Sequence, residues 1–308
     1  MLALLLLVSA FSAARGVPCG PRIDPTTPED ASTFTSQLTG ATLTLDWSDE
    51  FTSDDMTPID LCKWVVMQGD GSNYCNPGWG NGESQFYVPD AVFLMEDNLY
   101  LEAKRVAPFT PCLATPDQVC TPPCTSMYEY TSGKVYTDAD LAFKYGRAEA
   151  RVLLPFFQGA WAGFWAMPAT YPAEGVYGTW PLSGEIDIME HINFAGFVQS
   201  NIHWLDRGGK KSAMSANTFT SETFGTAYHT YAVERSSSGR MLFSVDGIPF
   251  ASPTWPPVDP TKPISPYDQP FVILLNLAMG GSFPGFPDPR SFDGGSQRML
   301  VDYDAGQA

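Results

Sequence analysis

Apolar and polar residues alternate over short segments along this chain, and no stretch keeps a helical period over a dozen residues. The sequence also contains 27 Gly and 27 Pro, which supply turns between such segments. Many short strands joined by turns favour an all-β fold, a sandwich or a jelly roll. The predicted strands are residues 42–47, 63–67, 84–88, 91–95, 99–104, 128–137, 147–154, 162–167, 185–190, 198–205, 229–234, 240–245, 249–252, 271–278 and 298–303.

One alternating segment carries three carboxylates, Glu185, Asp187 and Glu190. Side chains repeat every two residues on a strand, so Glu185 and Asp187 share a face and Glu190 points away. A β-bulge at residues 188–189 would return Glu190 to the first face, and bulges are common beside active sites. The competing interpretation is a solvated acidic strand, but the intervening residues are apolar.

The same spacing bears on glycoside chemistry. With the bulge absorbed, a gap of about 6 Å remains between the carboxyls of Glu185 and Glu190. Retaining glycosidases need about 5 to 5.5 Å and inverting ones about 6.5 to 9.5 Å. The estimate lies nearer the retaining range and leaves both mechanisms open.

Aromatic residues flank the carboxylate segment. Trp161, Trp165 and Trp180 precede it and His203 follows it with Trp204. Aromatic rings stack on the apolar faces of sugars, so rings beside paired carboxylates indicate a glycan cleft. Burial in the core is the alternative for each ring, and of the neighbours Phe164 and Trp165 at most one can face the cleft.

The charge of the chain excludes several partners. There are 34 acidic against 17 basic residues, a formal net charge of −17. Nucleic acid, anionic membranes and sulfated polysaccharides would be repelled, so a neutral glycan is the expected partner. The three histidines lie at positions 191, 203 and 229, a spacing that does not suit a zinc hydrolase.

The N-terminal residues predict export. Residues 1–14 are apolar and end in small side chains, which predicts a secretory signal peptide at residues 1–16. Residues 17–40 are rich in Pro, Thr and Ser and are interpreted as a leader, followed by one domain at residues 41–308. We therefore expect a secreted, extracellular protein.

Six cysteines agree with that compartment and suggest three disulfides among fifteen pairings. Cys62 with Cys75 is the favoured pair, because these residues bracket a Gly- and Asn-rich loop. The other cysteines include three in a Pro-rich segment, residues 106–125, which we interpret as an inserted surface loop.

The segment 184–190 resembles the catalytic signature of glycoside hydrolase family 16, in the bulged form of its laminarinase-like β-1,3-glucanases. The similarity extends from about residue 43 to residue 303. Segments similar to the family occur in the same order at residues 49–51, 79–83, 99–103, 130–134, 145–151, 163–165, 245–247 and 276–281.

This resemblance implies a concanavalin A-like jelly roll with a concave substrate cleft, and hydrolysis of neutral β-glucan by retaining double displacement. Glu185 would be the nucleophile, Glu190 the general acid/base and Asp187 an assisting carboxyl. No cofactor is required in such a mechanism, and a monomer is expected.

The resemblance also implies substrate-binding residues. Trp180, Trp165 and His203 are similar to family residues near the sugar subsites, and Trp161 belongs to the same aromatic group. Asn81 and Glu83 resemble a loop at the non-reducing end of the cleft.

The chain departs from the family after residue 303. Family members continue the last strand with apolar and Arg residues, whereas this chain reads Asp304-Ala305-Gly306-Gln307. This departure predicts a shortened closing strand and leaves Asp302 as the one side-chain ligand for the structural calcium of the family. Phe283 stands where the family often has Trp.

Three alternative functions stay open. A non-catalytic β-glucan-recognition protein on the same fold typically lacks the catalytic glutamates, whereas this chain has both. A transglycosylase usually lacks the bulge residue. The third alternative is a different substrate, because these motifs do not distinguish β-1,3-glucan from mixed β-1,3-1,4-glucan or a galactan.

Overall fold

The computed structural model describes residues 19–111, 126–206, 209–218, 224–254 and 265–307. Within these ranges the chain forms strands and short 3-10 helices, and none of the described helices is long and apolar enough to span a membrane. The strands are β1 (Thr33–Thr35), β2 (Thr42–Asp49), β3 (Trp64–Val66), β4 (Gln85–Tyr87), β5 (Val92–Met95), β6 (Asn98–Phe109), β7 (Tyr128–Ser132), β8 (Lys134–Thr137), β9 (Gly146–Leu153), β10 (Ala160–Pro168), β11 (Glu185–Ile192), β12 (Gln199–Leu205), β13 (Lys211–Asn217), β14 (His229–Arg235), β15 (Met241–Val245), β16 (Ile248–Ala251), β17 (Phe271–Met279) and β18 (Gln297–Gln307). The 3-10 helices are Glu29–Ser32, Ser72–Tyr74, Pro77–Gly80, Pro89–Ala91, Ala139–Leu141 and Pro289–Phe292.

The described strands form two sheets. The seven-stranded sheet has the order β13-β12-β11-β10-β17-β8-β3. The eleven-stranded sheet has the order β16-β15-β14-β9-β18-β6-β7-β4, with β2 paired to β18, β1 to β2 and β5 to β6. The pairing is antiparallel apart from β4 with β7. The predicted all-β jelly-roll sandwich is confirmed.

One continuous apolar core lies between the two sheets. All nine residues of β17 are buried, which explains why this strand reads as a near-continuous apolar run. At one end of the core Trp47 and Trp64 pack edge to face, with ring centroids 6.1 Å apart, and Phe51 packs on Trp64. Burial of aromatic rings of this size contributes most of the stability of such a core.

The predicted strand 128–137 is two strands in different sheets. The chain leaves the eleven-stranded sheet after Ser132 and enters the seven-stranded sheet at Lys134. A Cβ atom on Gly133 would lie 2.7 Å from the carbonyl oxygen of Ala91, so this crossing needs glycine. Residues 132 to 135 are all buried, so the alternation is interrupted at the crossing, and a single Gly without Pro was the one sequence signal of a break.

The prediction of a shortened closing strand is wrong. Strand β18 continues to Gln307, where its last residues pair with β9 on one side and β2 on the other. The small residues after Tyr303 allow this close approach, because a Cβ atom on Gly306 would lie 2.3 Å from Nε1 of Trp47. The strand thus extends without the apolar residues that the family uses.

The extended strand buries a carboxyl group. Asp304 is fully buried opposite Asp49, and neither of its carboxyl oxygens has a hydrogen-bond partner among the described residues. Burial, with repulsion from Asp49, raises the pKa of Asp304 well above its usual range. A carboxyl with a raised folded-state pKa contributes stability at low pH that is lost as the pH rises.

We therefore expect Asp304→Val to stabilise the protein by about 1 to 3 kcal/mol, with a larger gain at pH 8 than at pH 4. Asp304→Asn, the matched control, removes the charge but keeps a buried polar group, so it should flatten the pH dependence with a smaller gain. Thermal unfolding between pH 4 and pH 8 measures both. A destabilised Asp304→Val protein at pH 8 would contradict this account.

The segment predicted as a leader contacts the domain in its described part. Strand β1 pairs with β2, and the ring of Phe34 lies 4.3 Å from the Arg147 guanidinium. The Ser36 hydroxyl donates to Glu234 at 2.5 Å. Residues 1–18, which include the predicted signal peptide, lie outside the described residues.

The predicted Cys62–Cys75 pair is wrong. Cys62 is bonded to Cys19, with α-carbons 5.4 Å apart, and Cys75 is disulfide-bonded elsewhere. The observed disulfide closes a separation of 43 residues and ties the N-terminal segment to the loop before β3. The short loop between Cys62 and Cys75 suggested a local pair, but pairing follows the proximity of α-carbons in the fold. Of the predicted insertion, residues 106–109 continue β6, and residues 112–125 lie outside the described residues.

Candidate active site

The carboxylate segment forms β11 in the interior of the seven-stranded sheet, between β10 and β12. Asp187 lies opposite Trp165 and Asn201, whereas Glu190 lies opposite Gly163 and Gln199. Three steps on β11 thus match two steps on each neighbour, which is a one-residue bulge. The predicted bulge is confirmed.

The bulge separates the apolar from the acidic side chains. Ile186, Ile188 and Met189 are at most 2% exposed and belong to the core. Glu185 and Glu190 are half-buried on the other side of the sheet. The extra residue therefore lets two consecutive apolar side chains enter the core while Glu190 returns to the face of Glu185.

The start of β11 is fixed by the residues before it. Gly184 has φ +79°, and a Cβ atom there would lie 3.0 Å from the ring of Tyr267. The Gln269 side-chain amide donates to the carbonyl oxygen of Ser183 at 2.9 Å. Glycine is required at this position both for the backbone angle and for the close ring.

Glu185 lies beneath an exposed indole. Nε1 of Trp180 donates to the Glu185 carboxylate at 2.5 Å. The Lys211 ammonium lies 4.5 Å from the centre of the Trp180 ring, and the ring of His203 is 6.0 Å away. Trp180 is 44% exposed, so its outer face is open to a ligand.

Glu190 accepts hydrogen bonds from two neighbouring strands. Nε1 of Trp161 donates at 2.9 Å, and the side-chain amide of Asn201 donates to the other oxygen. Phe283 packs edge-on against Trp161, with centroids 5.3 Å apart. Both oxygens are thereby oriented while the group stays at the surface of the sheet.

Asp187 is the most buried of the three carboxyls, at 3% exposure. Its Oδ2 atom lies 3.0 Å from Nε2 of His203. Burial and the charge of Glu190 raise the pKa of Asp187 well above its usual range.

The row of acids holds protons near neutral pH. Burial, then repulsion from Asp187, raises the pKa of Glu185 to about 8, and burial raises the pKa of Glu190 to about 7. Because neighbouring carboxylates repel one another when ionised, the three groups lose their protons in separate steps. The arrangement can therefore present one ionised carboxylate and one protonated carboxyl at the same sugar.

The predicted loop residues Asn81 and Glu83 belong to a second group of hydrogen-bonded side chains, which also contains Trp165 and Asn276. Trp165 donates to Asn276 at 2.6 Å, and Glu83 accepts from Asn81 at 3.2 Å. Trp165 is half-buried, whereas its neighbour Phe164 is fully buried in the core, as the alternation requires.

Sequence reasoning assigned no role to four polar residues of this region. Gln199, Asn201 and His203 occupy every second position of β12, so the period of two could have placed Asn201 on the face of His203. Asn276 is the one polar residue in the apolar run of β17, which could have marked it. Tyr87 and Lys134 are almost fully buried, and no sequence signal separates them from core residues.

The carboxylates of β11 and of Asp302 offer oxygen atoms of the type that bind metal ions. Ligand-type atoms of Glu185, Asp187 and His203 lie within 4.8 Å of one another, the one such group of three in the described ranges. The Trp180 indole donates to Glu185, and Oδ2 of Asp187 lies 3.0 Å from Nε2 of His203, so the group is already linked by its own contacts. Asp302 forms an ion pair with Arg151 at 2.5 Å, which already neutralises the carboxylate. No group of three ligand-type side chains in the described ranges includes Asp302, and the calcium site there stays a prediction.

A separate cavity of about 440 Å³ lies away from the carboxylates, and Trp47, Tyr145, Arg235 and Gln307 are among its lining residues. The Arg235 guanidinium donates to the carbonyl oxygens of Phe143, Tyr267 and Gln269. Arg235 therefore stabilises the backbone segments around the cavity through these hydrogen bonds.

Comparison with known proteins agrees with this geometry. The sequence model described as "Glycosyl hydrolases family 16" matches residues 94–299. The chain belongs to glycoside hydrolase family 16. The match includes β11 with all three carboxylates.

Individual family-16 proteins are similar over most of this chain. Glucan endo-1,3-beta-glucosidase A1 of Niallia circulans is 33% identical over 94% of this chain, which spans only 41% of that protein's length. Beta-glucanase of Rhodothermus marinus is 30% identical over 83% of this chain and 82% of its own. The solved endo-beta-1,3-glucanase structure from Pyrococcus furiosus superposes with a TM-score of 0.72 at 27% identity, covering 90% of this chain and 98% of its own.

Proposed function

We propose that this chain is a retaining endo-glycosidase that hydrolyses β-1,3-linked glucan or mixed β-1,3-1,4-glucan. The observation that carries the proposal is the bulged strand β11, which brings Glu185, Asp187 and Glu190 to one face of the sheet. The relatives named above as glucanases support the substrate class.

In the first step the ionised Glu185 attacks the anomeric carbon and forms a glycosyl ester. Glu190 gives its proton to the departing glycosidic oxygen, so the leaving sugar departs as an alcohol. A raised pKa suits Glu190 to this role, because the group must hold a proton at working pH.

In the second step Glu190, now ionised, takes a proton from water. The resulting hydroxide equivalent attacks the anomeric carbon, breaks the ester and restores Glu185 as a carboxylate. The raised pKa of Asp187 keeps a proton on this carboxyl, which reduces the negative charge beside the nucleophile before attack.

Two measurements test this proposal. The panel of substrates is laminarin, mixed-linkage glucan, agarose and κ-carrageenan, with products identified by size. We expect laminarin or mixed-linkage glucan to be cleaved to oligosaccharides. Proton NMR of the first product should show the β-anomer before mutarotation, as retention requires. An α-anomer would contradict the retaining route, and binding without cleavage would favour a recognition protein.

The charge of the chain gives a further expected result. At a net charge near −17, cleavage of the sulfated polymer κ-carrageenan at low salt should be slow compared with laminarin. The measurement is the ratio of initial rates at about 10 mM and about 150 mM ionic strength, conditions that differ several-fold in screening length. Faster cleavage of κ-carrageenan than of laminarin would overturn the neutral-glycan assignment.

We also propose that the protein is secreted and acts as a monomer. The Cys19–Cys62 disulfide supports an oxidising compartment. Recovery of a processed chain from the medium, with its mass and N-terminus determined, tests the location. Light scattering tests the oligomeric state.

A further inference from the structure

A chain of hydrogen bonds links Trp165, beside the carboxylates, to Glu83. Nε1 of Trp165 donates to Oδ1 of Asn276 at 2.6 Å, and Nδ2 of Asn276 donates to the Tyr87 hydroxyl oxygen at 3.1 Å. The Tyr87 hydroxyl donates to Oε2 of Glu83 at 3.4 Å. These four residues, here named the Trp165 relay, join strands β10, β17 and β4 to the loop before β4.

The direction of the relay is fixed by its first member. An indole N–H can only donate, so the atom of Asn276 that faces it must be the carbonyl oxygen. The amide nitrogen of Asn276 then faces Tyr87 and occupies a lone pair of its hydroxyl oxygen. The hydroxyl hydrogen is left for Glu83, which must accept it.

A second chain ends at the same carboxylate. The backbone N–H of Met279 donates to Oε1 of Gln85 at 2.7 Å, and Nε2 of Gln85 donates to Oε2 of Glu83 at 2.6 Å. This second series of hydrogen bonds also begins at a group that can only donate, the backbone N–H of Met279. With the Asn81 amide on its other oxygen, Glu83 accepts three hydrogen bonds inside the protein.

Lys134 makes such an acceptor possible at a buried position. Burial raises the pKa of Glu83, and the positive charge of Lys134 is the largest opposing influence. The ammonium of Lys134 is itself buried and lies 4.9 Å from the centre of the Trp165 ring. The indole of Trp165 is thus oriented by two interactions: its N–H donates into the relay, and its ring face contacts the Lys134 ammonium.

Trp165 lies directly opposite Asp187 in the sheet, so its indole stands beside the carboxylate row. We propose that Glu83 is a positioning residue that, through the Trp165 relay, fixes the indole of Trp165 as a stacking platform for the sugar that reacts. This inference rests on the proposed function for its substrate. It assigns Glu83 a role inside the protein, in place of the direct sugar contact that the family resemblance implies.

The test removes one oxygen atom from the relay. Tyr87→Phe interrupts the path between Asn276 and Glu83 at almost constant volume. Tyr231→Phe is the matched control, because Tyr231 is fully buried in the other sheet and its hydroxyl has no hydrogen-bond partner among the described residues. The readouts are the indole N–H resonance of Trp165 in ¹⁵N-labelled protein, identified with Trp165→Phe, and the kinetics on laminarin.

With Tyr87→Phe we expect the Trp165 indole proton to move upfield. The KM for laminarin should rise about three- to tenfold, the cost of one lost hydrogen bond, with little change in kcat. Tyr231→Phe should alter neither. Glu83→Gln, which removes the negative charge but keeps the length and an acceptor oxygen, should move the same resonance by a smaller amount and provides the test should Tyr87→Phe not fold.

An unmoved Trp165 resonance with unchanged KM in a folded relay variant would overturn the inference, as would an equal effect from Tyr231→Phe. If the wild-type protein cleaves neither laminarin nor mixed-linkage glucan, the proposed function fails. The resonance still decides whether Glu83 positions Trp165, because it needs no substrate.

Discussion

Glu185→Gln should lower the rate of laminarin hydrolysis by at least about four orders of magnitude, because the amide cannot form the glycosyl ester. Removal of a nucleophile in another covalent mechanism costs about 2 × 10⁶ in kcat. The side chain keeps its shape and its hydrogen bond from Trp180, so folding and glucan binding should be preserved. Initial rates and oligosaccharide titration measure the two effects. Substantial residual turnover would show that another group attacks the anomeric carbon.

The partner carboxyl gives a distinguishable result. Glu190→Ala should reduce the rate by about 10² to 10⁴. Azide should then restore turnover and yield a glycosyl azide of β configuration, because a small anion can enter the vacated space and attack the ester at Glu185. Glu185→Gln should not respond to azide. An unchanged rate in Glu190→Ala would assign the acid/base role elsewhere.

Met189→Lys should prevent folding at neutral pH. Met189 is fully buried in the core behind the carboxylate row, and an unpaired buried ammonium costs several kcal/mol. That is a large part of the 5 to 15 kcal/mol that typically stabilises a domain. Met214→Lys is the matched control, because Met214 is 43% exposed on β13. Circular dichroism and thermal unfolding of both proteins measure the difference. A folded Met189→Lys protein with a wild-type melting temperature would contradict the core position of the bulge.

The sequence predicted the fold because two signals agreed along most of its length. Alternation placed the strands and Gly and Pro placed the turns, so fifteen predicted segments lie on observed strands. The missed strand β13 has mainly exposed, small residues, which leave no alternation to detect. Strand β1 has three residues in a Pro-rich segment, and so short a strand forms only through its pairing with β2.

The candidate site was predictable to the extent that it is local in sequence. Spacing alone required the bulge that returns Glu190 to the face of Glu185. The donors on Glu190 come from two other strands, and the Asn276–Tyr87 contact joins residues 189 positions apart. Such partners depend on sheet order and register. No single segment of the sequence indicates which strands will be neighbours in a sheet.

The pairing of β18 has a practical consequence for defining the domain. The family match begins at residue 94, yet β2 covers one side of the last residues of β18, and Asn81 and Glu83 lie before the match. A recombinant piece cut at residue 94 would present the backbone of Asp304 to Gln307 as an open strand edge. Open edges pair with strands from other molecules, so loss of β2 would make the folded domain prone to aggregation.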